Sequence, residues 1–176
     1  HRDHASVTGV ARHLPSAAGL LLQRELDAFE RVLNKPERPL VAILGGAKVS
    51  DKLQVIDALC DKVDQILVGG GMAYTFLAAR GESVGTSLVD ADFVTKADAL
   101  LKEAAERGVA FHLPTDHAVA DRFAEDAAAR EVTEIPDGTM GLDIGPKTTA
   151  AYAGIIAGAG TVVWNGPMGV FEWESF

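Results

Sequence analysis

The chain has 176 residues, 48% of them apolar and 23% charged. A chain of this size buries roughly 70% of its unfolded surface and so holds a real core; the apolar share excludes disorder, and 18 Gly with 7 Pro exclude a collagen-like repeat. Sixteen Lys and Arg against 25 Asp and Glu leave a formal charge of −9, which argues against a nucleic-acid or anionic-membrane surface and leaves any polyanion to a few local cations and backbone N–H groups.

The longest apolar runs, such as Leu40–Leu44, fall far short of the ~20 residues of a membrane helix. One cysteine, Cys60, excludes an internal disulfide and fits a reducing, cytoplasmic compartment; with five scattered His it leaves no zinc set. The chain begins at His1 in mid-pattern, as expected of a piece cut from something longer, and shows no basic and apolar signal-peptide regions.

Along the chain, short apolar runs alternate with helix-spaced stretches. Ser16 is expected to cap a helix with Leu22, Leu26, Phe29 and Leu33 on one face, ended by Pro36 and Pro39. Leu40–Leu44 reads as a buried parallel strand, broken by Gly45 and Gly46 and followed by a helix with Val49, Leu53, Ile56 and Leu59 on one stripe. Gln65–Val68 is a second strand, stopped by Gly69, Gly70 and Gly71, and Met72–Ala79 a short helix closed near Gly81. Asp90 to Arg107 has helical spacing, and Val109–Leu113 is a third strand ended by Pro114. Thr115 to Gly145 is less regular, with a turn at Pro136 and Gly138. Lys147–Ala157 is helical, and Thr161–Trp164 is a fourth strand running into Asn165, Gly166 and Pro167.

This rhythm predicts an α/β class domain: a Rossmann-like, three-layer αβα arrangement with a mainly parallel sheet. Ligands then belong beyond the carboxyl ends of the strands, at 45–52, 69–72, 114–117 and 165–172.

The first of these segments carries the clearest chemistry. Gly45 and Gly46 after a buried strand let backbone approach a ligand closely, and a following helix start favours an anion. Lys48 and Lys52, four apart, are expected to share the first turn of that helix, where like charges cost about 0.2–0.5 kcal/mol and oppose the helix dipole. A bound phosphate chain reverses both terms; two solvated lysines, with Asp51 as offset, is the competing reading. The segment is not a Walker A loop, since its glycines are adjacent and no Gly-Lys-Ser/Thr follows. Neither Gly69–Gly71 nor Gly158–Gly160 has the third glycine of a dinucleotide fingerprint, because Tyr74 and Val163 stand there, which disfavours an NAD-linked oxidoreductase.

Gly69–Gly71 suits a flat wall for a nucleobase, or a plain strand–helix turn. Glu172 suits ribose hydroxyls and Asn165 phosphate oxygens, although an isolated Glu is more often a solvated surface residue. His1-Arg2-Asp3-His4 has the letters of a protein-kinase catalytic loop without the rest of that motif set, and His1 with His4 makes a poor metal clip at a chain end. His13, His112 and His117 read as structural or solvated, and Cys60 as packing.

From His1 to Phe176 the sequence resembles phosphoglycerate kinase, through HRDHAS (1–6), VAILGGAKVSDK (41–52), VGGGMAYTF (68–76), EIPDGTMGLDIGPKT (134–148) and TVVWNGPMGVFE (161–172). The resemblance implies the nucleotide-binding, carboxyl-terminal lobe of a two-lobed enzyme. An interdomain segment would run over 1–15 and the nucleotide domain over 16–176, incomplete at its carboxyl end. The implied reaction, in glycolysis, is phosphoryl transfer between 1,3-bisphosphoglycerate and Mg-ADP, giving 3-phosphoglycerate and Mg-ATP. Lys48 is similar to the lysine that stabilises the transferring phosphoryl group, and Lys52 to the one that holds nucleotide phosphates. Gly45, Gly46 and Ala47 would line that site; Gly69, Gly70, Gly71 and Gly141 the adenine pocket, with Leu142 and Pro167 as walls; Asn165 the phosphates and Glu172 the ribose. Arg2 resembles a substrate-binding arginine, with His4 in support.

The substrate lobe and a later glycine-rich loop that supplies an aspartate to the magnesium are not among the matching blocks, and Asp3 stands where many relatives carry a small residue. The resemblance therefore implies a monomer that binds ADP or ATP, takes 3-phosphoglycerate through another lobe, and as this chain alone binds nucleotide weakly without turnover. A non-catalytic nucleotide-binding fragment is the alternative. Truncation is also expected to leave apolar surface exposed.

Overall fold

The computed structural model describes residues 3–50 and 52–176, with Val7 described by its backbone alone. His1, Arg2 and Asp51, all named above, lie outside the described residues. The chain divides into two compact units, His1–Pro36 and Glu37–Phe176.

In the first unit, short helical turns at Ala5–Gly9 and Val10–Arg12 precede helix α1, Leu20–Asn34. Ser16 does not cap it. Its hydroxyl donates to the Leu14 carbonyl at 3.0 Å, and the helix begins four residues later behind an extended Gly19 that has no side chain to offer. Leu22, Leu26, Phe29 and Leu33 fall on one stripe as expected, and all four are exposed, from 37% for Leu33 to 58% for Phe29.

The second unit is built on a four-stranded parallel sheet in the order β3-β2-β1-β7. β1 is Leu40–Leu44, β2 Gln65–Val68, β3 Ala110–His112 and β7 Thr161–Asn165. All five residues of β1 are buried, which explains a continuous apolar run in place of an alternating one. Helices α2 (Leu53–Cys60), α3 (Met72–Ala79), α4 (Val94–Glu106) and α5 (Pro146–Ala157) flank the sheet. Val41, Ile43 and Leu67 pack on one face with Tyr152, Ile155 and Ile156 of α5. On the other face, Phe111 meets Phe76 of α3 at a ring separation of 5.1 Å. Helices therefore cover both faces, as the sequence predicted.

Thr115 to Gly145 is more regular than its sequence. Strands β4 (His117–Ala120), β5 (Arg130–Val132) and β6 (Met140–Ile144) form an antiparallel sheet in the order β5-β4-β6, with a register shift at Ala118 and Val119. Strands of three to five residues interrupted by Gly141 and Asp143 carry too little pattern to be read locally. Asp116 explains the position of α5. Its carboxylate accepts from the amides of Lys147 (2.8 Å) and Thr148 (2.7 Å) and from the Thr148 hydroxyl (2.6 Å), capping the helix start. No helix among the described residues is long and apolar enough to cross a membrane.

Candidate nucleotide site

The loops after β1, β2 and β7 are stitched together by backbone hydrogen bonds at the carboxyl edge of the parallel sheet. Gly45 N–H donates to the Asn165 carbonyl (2.9 Å), Gly46 N–H to Pro167 (3.1 Å), Gly70 N–H to Met168 (2.6 Å) and Met72 N–H to Gly46 (2.9 Å). Glycine is required for this approach. A side chain on Gly45 would run into the Pro167 carbonyl, and one on Gly69 into the Met168 thioether. Gly70 also has φ +67°, a left-handed conformation that favours glycine.

Above these loops lies a cavity of about 470 Å3, within the range of small-molecule sites. Gly46, Ala47, Gly70, Gly71, Gly141, Leu142, Pro167 and Glu172, all predicted, line it. Gly45 and Gly69 are buried beneath it and shape its floor without facing it. Gly169, Val170 and Phe171, within the expected segment 165–172, also line it, as do Thr86, Leu88, Phe123 and Met140, which were not anticipated. The expected segment 114–117 does not line it. That segment follows β3, the edge strand farthest from β7, and is occupied with capping α5, while the antiparallel sheet supplies the wall in its place.

Two buried residues set that wall. Ser87 Oγ accepts the Gly141 N–H at 2.9 Å, and the Tyr74 hydroxyl fills the space a side chain on Gly141 would need. Burial pushes the Tyr74 phenol well above its ordinary pKa, the Asp143 carboxylate adding to the effect, so it stays neutral. The signal for Ser87 lay in no local motif; Tyr74 falls within the VGGGMAYTF block but stands inside α3 as an ordinary core residue would.

Lys48 and Lys52 do not share a helical turn. Helix α2 begins at Leu53, Lys52 occupies its cap position, and Lys48 is exposed in the preceding loop. Gly46, at the head of this loop, is instead held across space by Pro167 and Met72. The like-charge penalty expected for one helical face therefore does not arise. Lys52 Nζ instead donates to Asn165 Oδ1, and its Cε is 3.7 Å from where a side chain on Gly46 would begin. An amide partner leaves the ammonium charge uncancelled. Lys52, Asn165 and Gly46 thus come together; of the three only Gly46 lines the cavity, and the ammonium stands just outside it beside that glycine. His4 belongs to the first unit, where its Nδ1 is 3.1 Å from Ser6 Oγ.

A second, open hollow of about 510 Å3 is bordered by Glu131, Asp143 and Glu174, and three carboxylates make it a poor seat for an anion. Among the described residues no three His, Cys, Asp or Glu side chains gather closely enough to hold a metal ion. That donor set does not fit a Mg2+ held by these residues alone.

The family model for phosphoglycerate kinase matches residues 1–176. Phosphoglycerate kinases from Moorella thermoacetica and Deinococcus radiodurans are 56% and 54% identical over 178 residues, covering all of this chain and 45% and 43% of those proteins. Among solved structures, phosphoglycerate kinase from Coxiella burnetii matches with TM-score 0.87 and 47% identity over 89% of this chain and 41% of its own. That from Pyrococcus horikoshii OT3 matches with TM-score 0.86 and 31% identity over 100% of this chain and 45% of its own. The chain thus spans less than half the length of these relatives.

Proposed function

The chain belongs to the phosphoglycerate kinase family, and on that premise we propose that the Glu37–Phe176 unit is the nucleotide side of a reversible phosphoryl transfer between 1,3-bisphosphoglycerate and ADP, giving 3-phosphoglycerate and ATP. The observation that carries this reading is that the Lys52–Asn165 pair stands beside Gly46, itself on the lining of a mostly apolar cavity. An adenine nucleotide has the same layout, with a flat apolar base at one end and a polyanion at the other.

In this reading the base lies against Gly70, Gly71, Gly141, Leu142 and Pro167. Glu172 accepts from the ribose hydroxyls, a role for which a carboxylate, an acceptor only, is suited. Lys52, Asn165 and the amides around Gly46 hold the phosphates. Lys48, exposed at the loop's outer side, supplies positive charge to the phosphoryl group in flight, where a loose anionic transition state gains more from positioned charge than from a base. Any Mg2+ would be carried by the nucleotide, the described residues supplying no ligand set for it. Arg2 and His4 are assigned to the acyl-phosphate substrate by family resemblance. The other lobe is assigned to the part of the relatives beyond this chain's match, and a monomeric, cytoplasmic enzyme of glycolysis is the setting proposed.

Calorimetric titration of the chain with ADP, with and without Mg2+, tests this. Binding to the wild type and a loss on the order of 10–100-fold in Lys52→Ala, the cost of a charge-assisted phosphate contact, are expected. Unchanged affinity in Lys52→Ala would refute the phosphate assignment.

A further inference from the structure

Among the described residues, two side chains on the cavity lining carry oxygen or nitrogen, Glu172 and Thr86; the others are glycine, hydrocarbon, aromatic or thioether. Apolar sites fix the orientation of a ligand through such sparse polar groups. Glu172 can only accept, which suits ribose hydroxyls and repels the ring nitrogens of a base. Thr86 can donate and accept, and a purine edge offers both, with an exocyclic donor or acceptor at position 6 beside ring acceptors.

Thr86 is also held in place. Its N–H donates to the Thr139 carbonyl at 2.8 Å, and Ser87 beside it accepts from Gly141 N–H at 2.9 Å. On the other side, Gly85 lies so close to the Thr139 and Pro136 carbonyls that no side chain would fit. A β-branched residue on backbone fixed at both sides has few rotamers left, so little freedom is lost when its hydroxyl bonds a ligand. Leu88, two residues on, stands 3.2 Å from where a side chain on Gly71 would begin, placing this segment opposite the glycine wall of the second loop. The Lys52–Asn165 pair beside Gly46 belongs to other segments of the chain.

We infer that Thr86 is the side chain that reads the base, its hydroxyl hydrogen-bonding the purine edge that carries the 6-substituent. The inference rests on the adenine-nucleotide reading of the cavity.

The test compares ADP with the 5′-diphosphate of purine riboside, which lacks the 6-amino group, by calorimetry on the wild type, Thr86→Val, Thr86→Ser and Lys52→Ala. Wild type is expected to prefer ADP by about three- to tenfold, the worth of one neutral hydrogen bond. Thr86→Val, isosteric but without the hydroxyl, is expected to abolish that preference by weakening ADP alone, and Thr86→Ser to retain it. Lys52→Ala is expected to weaken both nucleotides equally. Equal weakening of both nucleotides in Thr86→Val, or an unchanged preference, would overturn the role of Thr86 while leaving the nucleotide site standing. Failure of the wild type to bind ADP would overturn both.

Discussion

Gly70→Ala puts the interlocked loops to their most direct test. Two costs are legible in the structure. The residue sits at φ +67°, where an L side chain pays about 1–2 kcal/mol. Its new methyl would also begin 2.6 Å from the Gly46 nitrogen, 2.8 Å from the Gly46 oxygen and 2.9 Å from the Pro167 oxygen, all backbone atoms with no flexible end to swing away. Relieving that clash strains or breaks Gly70 N–H to Met168 and Gly46 N–H to Pro167, at about 0.5–1.5 kcal/mol each. The total comes to roughly 2–5 kcal/mol. Gly108→Ala is the matched control: φ is +76° and nothing lies within 4 Å of the added carbon, so only the conformational cost applies. Urea unfolding of both variants and ADP titration of both decide the matter. Gly70→Ala should lose more stability than Gly108→Ala by about 1–3 kcal/mol, with ADP binding weakened at least tenfold in the former and untouched in the latter. Equal losses, with equal ADP affinity, would refute the claim that these loops form one clamped floor.

Asp116→Ala should destabilise by about 2–4 kcal/mol, combining a lost helix cap with buried donors left unpaired; urea midpoints measure it. Burial raises the Asp116 carboxyl, but the Thr148 hydroxyl and the Lys147 and Thr148 amides outweigh it and hold it below the ordinary value, so its contribution should persist above pH 3.8 and vanish as pH falls through the lowered folded value. Burial lowers the pKa of His112 and of His117, the latter against an opposing pull from Asp116. The unfolded chain therefore takes up protons that the folded chain refuses. Unfolding free energy should be flat above the ordinary histidine value of 6.5 and fall below it, a slope that His112→Gln or His117→Gln reduces. A flat profile from pH 7 to 5 would show the two imidazoles are not held neutral.

The parallel sheet and its glycine turns were legible because each rests on a local pattern. β1 and β2 are short buried runs ended by adjacent glycines, and chemistry at parallel strands gathers at their carboxyl ends whatever follows. The family blocks named the cavity residues Gly46, Gly70, Gly141, Leu142, Pro167 and Glu172 for the same reason, as contiguous stretches of one chain. The antiparallel sheet, the start of α2 and the cavity's second wall were not legible. Each depends on partners distant in sequence: β4 finds β6 across more than a helix's length of turn, Pro167 holds Gly46 at the head of the loop before α2, and Ser87 and Tyr74 set Gly141. A sequence pattern records which residues want burial or a turn. Only the folded chain decides which backbone groups meet, because hydrogen bonds and steric fit are settled across space.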